Sequence, residues 1–491
     1  MGVLIAAALS ACSLTPPYQR PDAPVAPAWP AGAEAGPADG VAAAELPWQQ
    51  FVHDESLRAL IELALQHTRD LRVAVLNIEQ ARAQYQIRRA DQFPAAGLSG
   101  AGTRSAPNPY QVFGQPPVAS TYSVGIGVSG WELDFFGRVA ALKEVALATY
   151  LATEEARRAT QISLIASVAG TWLQLKTDTE LLALAERTLV TRQQSLQLTR
   201  LRYERGASSA LDMRQAESLT AAAQAAQAQQ LRLRAQDINL LALLVGQPVP
   251  DALIDPLPVV ASTVPVDLAQ PPVADITPPA ELPAFTDVPA GLPSDLLLRR
   301  PDIRAAEQQL IAANANIGAA RANFFPRITL TGSLGRVSAD LDGLFGSGGS
   351  RAWSFGPSIT LPLFDAGRNQ ATLEAAQAGR DIAVAQYDKA VQTAFREVAD
   401  ALAGRATLGE QLTALQAQAS AERDRLRLAD LRYRNGIASF LDLLDAQRSL
   451  FAVEQALAQA RLAERSNQVQ LYKALGGGWI EPQAEAASVQ H

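Results

Sequence analysis

Apolar positions recur at helical spacing from about Ser56 to Gln92: Leu57, Leu60, Ile61 and Leu65, then Leu71, Val75, Ile78, Ala81 and Ala83. This predicts one helix, ended by Phe93-Pro94, because proline removes a backbone donor and restricts the residue before it. The period then changes. Tyr122, Val124, Ile126 and Val128 alternate with Ser123, Gly125, Gly127 and Ser129, which predicts a strand. A weaker Gly- and Ser-rich strand candidate spans Ala95 to Thr103, and Arg104 to Ala119 is a Pro-, Asn- and Gly-containing loop. Gly137-Arg138 opens a helical pattern without proline that runs to about Glu204. At about 1.5 Å per residue it would be roughly 100 Å long. A break at Gly206 precedes a second helix from about Ala210 to Val245.

The same order of patterns then returns. Asp302-Ile303-Arg304 answers Asp70-Leu71-Arg72, and Phe325-Pro326 answers Phe93-Pro94. Strand-like residues Ile328 and Leu330 precede a Gly-rich loop from Ser338 to Ser350. A cleanly alternating strand then runs through Trp353, Phe355, Pro357, Ile359, Leu361 and Leu363. Gly367-Arg368 answers Gly137-Arg138. A long helix to Tyr433 is followed by the break at Asn435-Gly436 and a helix from about Phe440 to Leu475. RYRNGIASFLDLLDAQR, Arg432 to Arg448, matches RYERGASSALDMRQAES, Arg202 to Ser218, so Gly436 answers Gly206 and Asp442 answers Asp212. A duplicated order of helix, strand pair, long helix, tip and helix marks an internal repeat. In each copy the proline (Pro94, Pro326) marks a helix-to-strand junction and the glycine (Gly137, Gly367) a strand-to-helix junction.

The expected organisation is a signal peptide at 1–11, a Pro- and Ala-rich tether at 12–47, a first repeat at 48–245, a linker at 246–293, a second repeat at 294–475 and a tail at 476–491. VLIAAALSA before Cys12 is a short apolar run ending in small residues, and Leu9-Ser10-Ala11-Cys12 is similar to a bacterial lipobox, whose cysteine becomes a lipidated N-terminus. A plain signal peptide with an incidental cysteine is the alternative. No Lys or Arg precedes the run, and a basic segment upstream of Met1 is expected. No other apolar run approaches the ~18 residues of a membrane helix, so any membrane span must use strands.

Composition narrows the chemistry. The net charge of -7 argues against a nucleic-acid partner. His53, His67 and His491 are the only histidines and lie far apart, and Cys12 is the only cysteine, so neither a metal site nor an intrachain disulfide is expected. No GxxxxGK[ST] loop, acid pair or triad stands out; an enzyme, and any cofactor, are therefore not expected.

Four strands per chain with a Gly/Ser-rich second face match the outer-membrane barrel pattern, yet a sheet in lipid cannot keep open edges and a closed barrel needs about eight strands. Several chains must contribute, unless the strands lie outside a membrane.

The chain resembles the TolC/OprM type of outer membrane factors. The resemblance spans nearly everything from Trp48 to Trp479. It is carried by DLRVAVLNIEQARA (Asp70 to Ala83), the long and specific LPSDLLLRRPDIRAAEQQLIAANANIGAARANFFPRITLTG (Leu292 to Gly332), LFDAGR (Leu363 to Arg368), FLDLLDAQRSL (Phe440 to Leu450) and LYKALGGGW (Leu471 to Trp479). The lipobox points to the lipoprotein branch. The resemblance implies a mainly α homotrimer, with a 12-stranded membrane β-barrel (four strands per chain) continuous with a long α-helical barrel. It also implies an exit duct for drugs and toxic compounds, working with a periplasmic adaptor and an inner-membrane pump. A duct for an ATP-driven peptide or protein exporter, and a non-conducting structural lipoprotein, are the alternatives.

At the second tip, helical spacing puts Leu441, Asp445 and Arg448 on one face, with Leu443, Leu444, Leu450 and Phe451 packing away from it. The plain reading is a solvated face with an Asp445–Arg448 ion pair of little weight. The first copy has Leu211, Gln215 and Ser218 at these positions, so the charges belong to one copy only. The resemblance implies that Leu441 and Asp445 form a periplasmic constriction with Arg448 close by, and it matches Asp442 to a second acidic position. It also implies that the adaptor docks at the tips, Gly206, Ala207 and Ser208 and Gly436, Ile437 and Ala438; tight turns alone are the plain reading there.

Overall fold

A computed structural model of the chain describes residues 13–30, 40–106, 119–254, 282–346 and 348–480. Short helix α1 (Trp48–Phe51) precedes α2 (Glu55–His67) and α3 (Arg69–Ala90). Strands β1 (Ala96–Ser105) and β2 (Ala119–Leu133) lead to α4 (Arg138–Glu204) and α5 (Ala210–Val245). The second copy comprises α6 (Leu296–Arg299), α7 (Pro301–Ala322), β3 (Arg327–Ser338), α8 (Leu341–Phe345), β4 (Ser350–Thr360), α9 (Arg368–Arg434) and α10 (Phe440–Ala474). α4 and α9 both have 67 residues, and α3 and α7 both have 22, so the duplication read from the sequence is carried into element lengths.

The chain divides into two compact units. The first, built from Met1–Ala23, Leu76–Glu155 and Arg304–Ala390, contains the sheet. Its four strands are antiparallel in the order β1-β2-β3-β4, so the two copies join through the β2–β3 pair. Register sorts the side chains by face. Leu98, Ile126, Leu334 and Trp353 form one row across all four strands, flanked by the row Ala96, Val128, Gly332 and Phe355. The opposite face carries rows such as Gly97, Gly127, Ser333 and Ser354. Trp353, at 76 %, and Leu98, at 77 %, are freely exposed, so the apolar face is uncovered by protein. The expected alternation stops at Val128 because a bulge between Val128 and Trp131 shifts the register. Gly130 supplies the positive φ of +65°, and the shift returns Trp131 and Leu133 to the apolar face opposite Leu330 and Ile328.

The last strand is shorter than the expected run to Leu363. It ends at Thr360, where Pro362 can no longer donate to a ladder, and Leu361, Leu363 and Phe364 stand exposed beyond it. At the junctions Gly137 and Gly367 take φ of +73° and +87°. The carboxylate of Asp134 accepts from the Ala140 amide at 2.7 Å, and that of Asp365 from the Asn369 amide at 2.9 Å. Pro94 and Pro326 stand between the ends of α3 and α7 and the strands that follow. Residues 13–23 have no helix or strand but are laid on α7. The Arg20 guanidinium donates both to Glu307 at 2.7 Å, Asn314 donates to the Pro16 carbonyl, and a side chain at Gly318 would meet Thr15 at 2.2 Å.

The second unit comprises Pro24–Val75, Ala156–Ile303 and Val391–His491. Trp48, Phe51, Leu57, Leu60, Ile61, Trp172 and Leu173 are fully buried. The Phe51 ring stacks on Tyr472 at 3.9 Å, and the Tyr472 hydroxyl donates to the Leu46 carbonyl at 2.6 Å. Here the structure corrects the single helix expected from Ser56 to Gln92. It breaks at Thr68, whose ψ of 139° is extended. Gly246 packs against that break so closely that a Cβ would sit 2.4 Å from the His67 carbonyl oxygen. The second copy breaks at the matching Arg300, just before Pro301. Arg300 is buried between Asp302, Glu397 and the Ala474 carbonyl. Much of the 246–293 linker, 255–281, lies outside the described residues.

Gly125 and Gly335 face each other across β2 and β3. A Cβ at Gly335 would lie 2.3 Å from the Val124 carbonyl oxygen, while Ser333 two residues away is exposed. Gly335→Val is therefore expected to split this pair, at a cost of about 1–3 kcal/mol or more, and Ser333→Val to be tolerated. Quantifying each variant in the outer-membrane fraction tests this; equal recovery would refute the close packing.

Asp237 on α5 shares a hydrogen bond with buried Asp178 of α4. Burial first, then this bond and the neighbouring charge, push the Asp237 carboxyl up to about 7. A folded-state pKa raised above the unfolded one favours the folded state at low pH, and that contribution is lost as pH rises through about 7. The melting midpoint is expected to fall between about pH 4 and about pH 7, and Asp237→Asn to flatten that dependence. An unchanged slope in the variant would exclude the pair as its origin.

Candidate functional site

Each tip is built from local rules. α4 ends with Gly206 at φ +72° and α9 with Gly436 at φ +71°, the left-handed conformation that glycine adopts without steric cost. The Gly206 amide donates to the Tyr203 carbonyl at 2.9 Å and the Ala207 amide to the Arg202 carbonyl at 2.8 Å. Gly436 and Ile437 repeat this on Tyr433 and Arg432, at 3.0 and 2.9 Å. Such paired bonds satisfy the last carbonyls of a helix. The next helix begins at once. The Ser209 hydroxyl accepts from the Asp212 amide at 3.1 Å while the Asp212 carboxylate accepts from the Ser209 amide at 3.1 Å. Ser439 and Asp442 form the same reciprocal box at 3.2 and 3.0 Å. These hydroxyl and amide donors hold the Asp212 and Asp442 carboxyls below the usual range, side-chain bonds first. Asp442 thus has a capping role of its own, shared with Asp212.

Leu441 is 56 % exposed, Asp445 and Arg448 are exposed, and Leu443, Leu444 and Ala446 are buried on the other side of α10. The proposed face and the packing face are therefore distinct. Phe451 packs on Leu181, Leu184 and Ala458, and Leu450 on Ala419, Val453 and Leu457. The Asp445–Arg448 ion pair expected from spacing does not form. Arg425 of α9 takes the Asp445 carboxylate at 2.5 Å, because a neighbouring antiparallel helix brings its guanidinium closer than the same helix does. Arg425 also pairs with Glu422 at 3.2 Å. The Asp445 and Glu422 bonds raise the Arg425 pKa.

Two further contacts join α4 to the second copy's helices. Arg192 is buried, at 5 % exposure, and donates to the Gln447 side-chain oxygen. Burial, then the charge of Arg448, push its pKa down to about 10, so it stays cationic at neutral pH. Arg202 donates to the Tyr433 hydroxyl at 2.5 Å, with its guanidinium 5.2 Å from that ring. Sequence reasoning missed Arg425, Arg192, Gln447 and the Arg202–Tyr433 pair. The repeat holds a signal for the first, since the position matching Arg425 is Ser195. Gly206, Ala207 and Ser208 and Gly436, Ile437 and Ala438 form the turns themselves, and Ile437 is exposed. Cys12 lies outside the described residues.

Among the described residues no group of His, Cys, Asp or Glu could hold a metal, and no helix is long and apolar enough to cross a membrane. The sheet, apolar on one face and Gly/Ser-rich on the other, and the duplicated long helical hairpins define a channel-forming protein of the bacterial outer membrane. The chain belongs to the outer membrane efflux protein family, which matches it twice, over residues 60–247 and 292–477. It is similar to the probable efflux pump outer membrane protein TtgC of Pseudomonas putida, with 49 % identity over 97 % of this chain and 95 % of that one. Outer membrane protein OprJ of Pseudomonas aeruginosa is 45 % identical over 98 % of this chain and 95 % of that one. Among solved structures, the open state of the Neisseria gonorrhoeae MtrE outer membrane channel superposes with a TM-score of 0.80, at 39 % identity, covering 95 % of this chain and 99 % of that chain.

Proposed function

We propose that the chain is the exit duct of a tripartite efflux pump, assembled as a homotrimer and closed at its periplasmic tips. The observation that carries this is the sheet. It has one uncovered apolar face and two open edges, β1 and β4. In lipid each unpaired backbone group on those edges costs several kcal/mol. Pairing β4 of one protomer with β1 of the next removes the edges, and three copies give twelve strands, enough for a closed barrel. A spacer that conducts nothing has no use for such a sheet. The same three-fold symmetry gathers α4, α5, α9 and α10 into a tunnel of twelve helices. The relatives' names, which include toluene and antibiotic efflux pump components, support small apolar and drug-like cargo.

In this assembly Leu441 and Asp445 line the constriction. Three leucines obstruct the path, and three carboxylates repel anions and attract cations. Arg425–Asp445 and Arg202–Tyr433 tie the inner helices in the closed state. The tip turns at Gly206, Ala207 and Ser208 and at Gly436, Ile437 and Ala438 meet the periplasmic adaptor, which couples the duct to an inner-membrane pump. Opening is then a shear of packed helices driven by those partners. Cys12 carries the lipid that anchors the N-terminus in the outer membrane.

Purified wild-type protein in a planar bilayer is expected to conduct weakly, and Leu441→Ala combined with Asp445→Ala to conduct several-fold more. A correctly assembled double variant with wild-type conductance would end the gate assignment. Cys12→Ser is expected to lose palmitate labelling while still reaching the outer membrane; labelling that persists would refute the lipid anchor.

A further inference from the structure

The apolar face of the sheet ends at a defined row. Along β3 and β4 the pairs Ile328–Ile359, Leu330–Pro357, Gly332–Phe355 and Leu334–Trp353 are apolar or small, and two residues further the row is Arg336–Arg351. The two arginines are direct cross-strand partners on the lipid-exposed face. Arg104 on β1 lies on that face too, four residues beyond Gly100, which shares a row with Val124 and Arg336. All three lie toward the hairpin end of the sheet, opposite the end where α3, α4, α7 and α9 attach. In outer-membrane barrels the longer loops are extracellular, so this end faces the outer leaflet.

The arrangement is unfavourable as it stands. Like charges directly opposed on paired strands repel, and among the described residues no carboxylate pairs with Arg336, Arg351 or Arg104. Asp340 and Asp342, in the same loop, pair with none of them. The Arg336 guanidinium donates to the Gly346 and Gly349 carbonyls at 2.7 and 3.0 Å, which fixes its position beside the loop and leaves its charge uncompensated. Arg351 is exposed, and its side chain makes no hydrogen bond or ion pair among the described residues. Two guanidiniums on directly paired residues at the rim of an apolar band supply the charge and the N–H donors that phosphate oxygens accept. Edge closure in the trimer uses backbone groups in the sheet plane and leaves this face open to lipid.

We propose that Arg336 and Arg351 bind the phosphate of a phosphorylated glycolipid of the outer leaflet. Its acyl chains lie along Leu334, Trp353 and Phe355. This inference rests on the outer-membrane position of the sheet and is independent of the gate at the tips.

The test titrates detergent-solubilised full-length protein with lipid A, with dephosphorylated lipid A and with phosphatidylglycerol, reading the melting midpoint. Lipid A is expected to raise it saturably and the other two to raise it far less. Losing one charge-assisted contact in Arg351→Gln should weaken the apparent affinity about tenfold or more, with Arg351→Lys in between. Native electrophoresis confirms that both variants assemble. If Arg351→Gln fails to assemble, the three lipids on the wild type still decide the matter. Equal stabilisation by dephosphorylated lipid A or phosphatidylglycerol overturns the proposal, as does an assembled Arg351→Gln with undiminished affinity.

Discussion

Backbone N–H and C=O groups cannot stay unpaired in hydrocarbon, and the rest of this molecule answers to that constraint. Four strands with two free edges are not a finished object in a membrane. The sequence is shaped for closure. One face is apolar where lipid lies, and the other is Gly-, Ser- and Thr-rich where a lumen would be. At Gly125 and Gly335 the strands approach so closely that no side chain fits between them. The bulge at Gly130 serves the same end, because without it Trp131 and Leu133 would turn away from the lipid side.

Duplication then explains how one chain supplies both hairpins and both long helical pairs. The two copies agree where geometry decides. Gly206 and Gly436 share a left-handed turn, and Ser209–Asp212 and Ser439–Asp442 share a cap. They differ where chemistry could decide. Asp445, Arg448 and Arg425 are answered by Gln215, Ser218 and Ser195. A three-fold assembly of a duplicated chain has two kinds of helix pair. Only charges confined to one kind can act at the axis without being repeated around the outside.

Helix ends were legible because glycine and serine mark them. The starts and ends of α4 and α5 fall where the sequence placed them, α9 ends one residue beyond the expected Tyr433, and α10 ends one residue short of the expected Leu475. The break at Arg300 is signalled by Pro301. The matching break at Thr68 has no proline, and Gly246, 178 positions further along the chain, packs directly against it. The bulge in β2 was hidden for a similar reason, since alternation resumes after it on the opposite parity. Asp445's partner was misread because spacing within a helix says nothing about the neighbouring helix. Arg425 lies only 20 residues earlier, yet on the other arm of the hairpin.

The two kinds of contact at the tip also bear on how a duct of this build could open. The turns are fixed by hydrogen bonds within five residues, in both copies, and no motion of one helix pair against another need disturb them. The ties between helices are different. Arg425–Asp445 is solvent-exposed on both sides, at 47 % and 53 %, so water and salt screen it and replace it readily. Arg192 is the costlier element. Its buried charge is met by an amide oxygen rather than a carboxylate, and Arg448 stands near enough to oppose it. Moving α10 outward would separate these like charges and return Arg192 to water. Separating α10 from α4 would thus break the Arg192–Gln447 bond but relieve the repulsion between Arg192 and Arg448, while the turns on either side stay intact.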